Sequence, residues 1–123
     1  MQFYQIILNC EYKKHSDPQT GEISKVTGSL SYEGNFAMVD GELLSDLLIV
    51  NLTGDNECKK QFGVISRLEL FSECTYTNYG TSHVRKDIMT INRVSGEFTK
   101  KMFKGENLVN IFYGSCSKAS QLF

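Results

Sequence analysis

The chain has 123 residues, with four cysteines, one proline and no tryptophan, and 13 basic against 14 acidic side chains give a net charge of −1. That length suits one domain with a sizeable core, and 41% hydrophobic with 22% charged residues is ordinary globular composition. The charge balance argues against sequence-independent nucleic-acid binding, which needs a concentrated basic surface. No apolar run reaches the roughly eighteen residues of a membrane-spanning helix.

The N-terminus, Met1-Gln2-Phe3-Tyr4-Gln5-Ile6, lacks the basic start and small-residue cleavage site of a signal peptide. The expectation is a cytoplasmic protein, or a periplasmic or exported one whose signal has been removed. Four cysteines lean towards export. Tyr4, Ile6, Leu8, Cys10 and Tyr12 then alternate with Phe3, Gln5, Ile7, Asn9 and Glu11, the period of a strand. Lys13–Glu22 is a polar loop, with Asp17-Pro18 opening a turn and Thr20-Gly21 closing it.

Ile23–Tyr32 is β-prone and interrupted by Gly28, which suggests two short strands or one bulged strand. Glu33-Gly34-Asn35 is expected to turn, Phe36–Val39 to form a short strand, and Asp40-Gly41 to close a hairpin. In Glu42–Leu52 the leucines at 43, 44, 47 and 48 have helical spacing, but the segment ends β-branched. The expectation is a helical turn near Leu43–Asp46, then a strand over Leu47–Leu52. Thr53–Gln61 is a polar loop, and Phe62–Thr77 reads as one long strand, bent or straight. Asn78-Tyr79-Gly80 is a turn.

Ile88–Cys116 reads as a three-stranded antiparallel meander. One turn sits at Val94-Ser95-Gly96 and another follows Lys104, where Gly96 and Gly105 supply positions that accept φ > 0. Turn signals recur at about 8–12 residues, as in sandwiches and small barrels. The expected fold is a single all-β domain over residues 1–123. It is an antiparallel sandwich or small barrel of roughly seven to nine strands, with at most one short helix. Ile6, Leu8, Ile91 and Ile111 are expected in the core.

Asn92-Arg93-Val94-Ser95-Gly96-Glu97-Phe98 and the later Tyr113-Gly114-Ser115-Cys116 resemble the C-terminal signature of small bacterial β proteins. In those proteins, mostly exported and uncharacterised, an Asn-Arg-x-Ser/Thr-Gly turn precedes a strand and a Gly-x-Cys strand closes the chain. The resemblance covers the last third plus the first strand, where Cys10 fits a family cysteine. It implies a fold class and a compartment rather than a reaction. Three complete pairings of Cys10, Cys58, Cys74 and Cys116 exist. Cys10–Cys116 is the leading candidate, because it links the first and last strands and matches the family's cysteines. Cys58–Cys74 needs a sharp bend, at Gly63 or Ser72, to bring its Cα atoms within about 7 Å.

No metal site is expected, since no Cys-x-x-Cys spacing exists and only His15 and His83 are available; both read as surface histidines. No cofactor motif or catalytic constellation is present, so an enzyme is not expected. Arg93 and Gly96 read as structural turn residues, with Arg93 bonding turn carbonyls or Glu97. Lys100, Lys101, Lys104, Arg85 and Lys86 read as a solvated strand face. Tyr76, Tyr79, Tyr113, Phe112 and Phe103 could line a ligand cavity or an interaction patch.

The leading expectation is a protein-binding module, such as an inhibitor or toxin-immunity protein that docks to and blocks another protein. Tyr79, Asn78 and Gly80 would form its contact turn, with Phe103 and Lys101 beside it. The alternative is a small-molecule or lipid carrier whose β-barrel encloses a cavity. Neither assigns nucleic acid as a partner.

Overall fold

In a computed structural model of the chain, the described residues are 2–39, 42–52, 60–66, 68–77 and 84–118. They form nine strands: β1 (Gln2–Ser16), β2 (Ile23–Lys25), β3 (Ser29–Val39), β4 (Glu42–Leu52), β5 (Lys60–Ile65), β6 (Glu69–Thr77), β7 (Val84–Asn92), β8 (Glu97–Lys104) and β9 (Asn107–Lys118). The strands join one antiparallel sheet in the order β4-β3-β1-β9-β8-β7-β6-β5, and β2 pairs with the end of β1. The all-β expectation holds, and no helix occurs among the described residues.

The sheet curls, bringing β4 and β5 towards each other. They end the ladder rather than completing it, so the sheet is not a closed barrel. Closure would need these two edges to exchange backbone hydrogen bonds. The barrel half of the expectation is therefore corrected.

Four local expectations also change. Residues 13–16 continue β1 instead of opening the polar loop, because Lys14, His15 and Ser16 pair with β2 and β9. Glu42–Leu52 is strand throughout, with no helical turn. Its ladder to β3 steps from Asn35↔Ile49 to Ala37↔Leu44, so β4 carries extra residues there. That irregularity breaks period-2 alternation, and the leucine spacing imitates a helix. Glu33-Gly34-Asn35 does not turn; β3 runs straight through it, paired on both sides. Phe62–Thr77 is a hairpin, not one strand. The Ser66 hydroxyl accepts from the backbone N–H of Glu69 at 3.1 Å, and Ser66 N–H donates to Glu69 O at 2.9 Å. Such side-chain bonding to nearby backbone favours a turn over a ladder.

Alternation puts one face of the sheet inside. The buried cluster is Leu8, Cys10, Leu30, Tyr32, Leu70, Met89, Ile91 and Phe98, with Ile6, Tyr12 and Cys116 packed against it. Leu8 and Ile91 are core residues as expected, and Ile6 is half-buried. Ile111 is not in the core cluster; it lies opposite Lys101 on the outer face.

Cys10 and Cys116 face each other in the ladder and form a disulfide, with Cα atoms 4.0 Å apart. Cys10 is fully buried. Cys74 is also disulfide-bonded, while Cys58 lies outside the described residues. The meander turns are built as the glycines suggest. Asn92 Oδ1 accepts from the N–H groups of Val94 and Ser95, and Gly96 has φ 81°. A Cβ on Gly96 would press on the Cys116 carbonyl at 2.7 Å, so both space and φ require glycine.

Candidate functional site

The inner face changes chemistry along its strands. On β7, Ile91 and Met89 are core, and the next residue on that face, Asp87, is buried too. On β8, Phe98 is core, and Lys100 follows it on the same face, opposite Met89. On β9, Phe112 lies opposite Lys100, and Asn110 lies opposite Met102. On β1, a register shift between Tyr12 and Lys14 resets the alternation, so His15 comes opposite Phe112. β6 adds Tyr76. These residues gather at the end of the sheet that carries the β1–β2 and β8–β9 turns.

Their contacts are specific. The Lys100 ammonium donates to the Tyr12 hydroxyl at 3.2 Å, and Nζ lies 5.7 Å from the Tyr12 ring centroid. The Tyr12 ring meets Phe112 at 5.2 Å and Phe98 at 5.6 Å, both edge-on. The His15 ring leans on Phe112 at 4.8 Å, and His15 Nε2–H donates to Asn110 Oδ1 at 2.7 Å. Tyr76 Oη donates to Asp87 Oδ1 over a long 3.4 Å.

Burial raises the Asp87 carboxyl above the usual carboxylate range, and Lys100, Tyr76 and Arg85 pull back only part of that rise. The Tyr76 hydroxyl is raised as well, by burial first and then by the Asp87 charge. Deeper in, Tyr32 is pushed up to about 12 by burial, offset in part by Ser72. The Tyr32 and Ser72 hydroxyls are both buried, yet neither has a well-formed hydrogen bond.

The residues expected to bind are placed unevenly. Asn78, Tyr79 and Gly80 lie outside the described residues, as does His83. Their flanks, Thr77 and Val84, pair with each other. Val84 O accepts from Gly105 N–H at 2.9 Å, at the polar end of the sheet. Phe103 and Lys101 share the outer face of β8, where Lys86 Nζ sits 5.0 Å from the Phe103 ring centroid. Lys86 also pairs with Glu73 at 3.7 Å.

The basic cluster is not one solvated face. Arg85, Lys100 and Lys104 share the parity of the inner face and Lys86 and Lys101 that of the outer face, so three cations lie on one side and two on the other. His15 is not a surface histidine; it is half-buried and bonded to Asn110. Arg93 is a turn residue as expected. Its guanidinium donates to the Ser66 carbonyl, and its N–H donates to Leu68 O at 2.8 Å.

Sequence reasoning missed Asp87, Lys100, Tyr12 and Asn110 as a group. The signal was available: Arg85 and Asp87 share parity with Met89 and Ile91, and Lys100 shares parity with Phe98 and Met102. Charges on the apolar face of an alternating strand need an explanation that solvent does not supply. Among the described residues no group of three metal-ligating side chains converges, and no helix is long and apolar enough to cross a membrane. Comparison with protein-family models, with curated proteins and with solved structures found no match.

Proposed function

We propose that the protein binds a small molecule at the polar end of its inner face. The supporting observation is that Lys100 and Asp87 both sit on the core-lining face without pairing with each other, whereas Lys86 and Glu73 form an ion pair on the outside. Charged groups in such surroundings are costly unless partnered, and concave sites with a few convergent polar groups on an apolar floor are the usual form of ligand sites. This reading differs from an enclosed barrel cavity, because the sheet is not closed. The buried Cys10–Cys116 disulfide supports an oxidising, exported setting.

The test is a thermal-shift screen of the intact protein against small acids, bases and neutral compounds. Hits that disappear in a Lys100→Met/Asp87→Asn double variant are expected. Hits that survive it unchanged would place binding elsewhere.

A second reading, docking to another protein, is favoured by one observation. Phe103, Tyr113, Ile88 and Ile111 are partly or well exposed on the outer face, beside the exposed Lys101. Aromatics among charged neighbours are common at interaction hot spots. With a partner in hand, Phe103→Ala and Tyr79→Ala should each weaken binding at least about tenfold. Unchanged affinity in both would remove this reading.

A further inference from the structure

Resting on the outer-face docking reading and independent of the inner-face one, we propose that the outer face docks a second copy of this chain, packed sheet to sheet with its strands reversed. Charge selects the occupant. Register sorts the outer face into rows that cross the strands, about 6.8 Å apart. One row is acidic: Glu69 lies opposite Asn92, and Glu97 and Glu11 flank Ser115. All three glutamates are exposed. Two rows along, Lys101 lies between Ile88 and Ile111, and one row beyond it Lys86 lies opposite Phe103. Glu73 shares the Lys101 row and is paired with Lys86 at 3.7 Å. Between the acidic and basic rows run Thr90, Thr99 and Tyr113, with Lys14 at the end of that row.

A face acidic at one end and basic at the other is complementary to its own reverse. A two-fold axis laid across the strands, along the Thr90–Thr99–Tyr113 row, keeps each strand over its counterpart and inverts the order of the rows. Glu97 of each copy then comes over Lys101 of the other, and in a two-fold contact that pair occurs twice. Tyr113, 40% exposed, meets its counterpart on the axis row. Phe103, one row past Lys101, comes level with the turn that carries Val94, which is 79% exposed. An axis laid along the strands would set glutamates on glutamates and lysines on lysines, which is costly. A partner of one sign would match one end of the face and be repelled by the other.

The curl of the sheet makes this face convex and limits the contact to β7–β9. Three strands at about 4.8 Å by four rows at about 6.8 Å cover roughly 400 Å² on each copy, the size of a transient interface.

The experiment is sedimentation velocity of the intact, disulfide-bonded protein from about 10 µM to about 1 mM. At low salt a monomer–dimer equilibrium is expected, weakened at least about threefold by about 0.5 M NaCl. Lys101→Glu and Glu97→Lys should each weaken it at least about tenfold, since each sets like charges against each other. An equimolar mixture of these two variants should associate again, because each supplies the charge the other has lost. Lys118→Glu, opposite Leu8 on the other face, should change nothing. A protein that stays monomeric to about 1 mM at low salt overturns the second copy and leaves a different protein as the occupant of this face. A dimer that ignores salt and both variants overturns the outer face as its interface. Variants that stay apart when mixed overturn the pairing of Glu97 with Lys101.

Discussion

Two ends of one sheet face follow the same alternation and serve opposite ends. Around Leu8, Leu30, Leu70, Ile91 and Phe98 the inner face is apolar and sealed. One or two steps further along the same strands it holds Asp87, Lys100, His15 and Asn110. In the first region each side chain stabilises by leaving water. In the second, leaving water is a cost met only in part by neighbours. Parity along a strand decides which face a residue takes; depth along the strand decides what that face requires.

The contrast can be broken by experiment, starting with what holds the sealed region. Cys10–Cys116 closes a loop with a sequence separation of 106. Replacing both cysteines by alanine should cost about 4 kcal/mol, read from urea midpoints. Alkylation of the unreduced protein should leave Cys10, Cys74 and Cys116 unmodified in the mass spectrum.

Next comes a paired substitution. Ile91→Ala should cost about 3 kcal/mol, whereas Lys100→Met should change stability by no more than about 1 kcal/mol. Equal losses would erase the distinction between the two regions.

Asp87 gives a smaller effect with a definite sign. Burial raises its carboxyl in the folded protein, so the fold keeps this proton over a window in which the unfolded chain, at roughly pKa 3.9, releases it. Stability therefore falls as pH rises through that window and stays lower above it. Asp87→Asn should unfold at higher urea than the parent at pH 7, and the gap should vanish below about pH 3. A gap that persists at low pH would assign the effect to packing instead.

Tyr32→Phe should be the mildest change. It removes a buried hydroxyl that lacks a proper partner, so stability should shift by less than about 1 kcal/mol, towards greater stability. A clear loss would mean that the Tyr32–Ser72 contact is a real hydrogen bond.

Much of this architecture was legible beforehand. The alternation of Tyr4–Tyr12 identified β1, and Gly96 and Gly105 marked the meander turns. The placement of Cys10 and Cys116 on terminal strands anticipated a rung that the ladder does contain. What escaped depends on pairing. Nothing local in Glu42–Leu52 reveals the slip against β3 that mimics helical spacing. Ser66 reads as any strand serine in the sequence; what makes it a turn residue is its hydroxyl taking the Glu69 N–H. Lys100 and Lys101 looked like one basic run. Their separation to opposite faces needs only period 2, but the consequence for Lys100 needs the apolar Met89 and the phenol of Tyr12 across from it.

The Cys10–Cys116 rung also governs how the domain would answer a pull. β1 and β9 are antiparallel, so Gln2 and Lys118 leave from the same side of their ladder, and tension between them would peel it open rung by rung from Leu8↔Lys118. The peel meets the covalent link two rungs later. Load then passes from Cys10 directly to Cys116, and every strand between them is taken out of the line of force. Under oxidising conditions the domain would behave as a short, inextensible clasp, and reduction would turn it into a spring that pays out the whole chain.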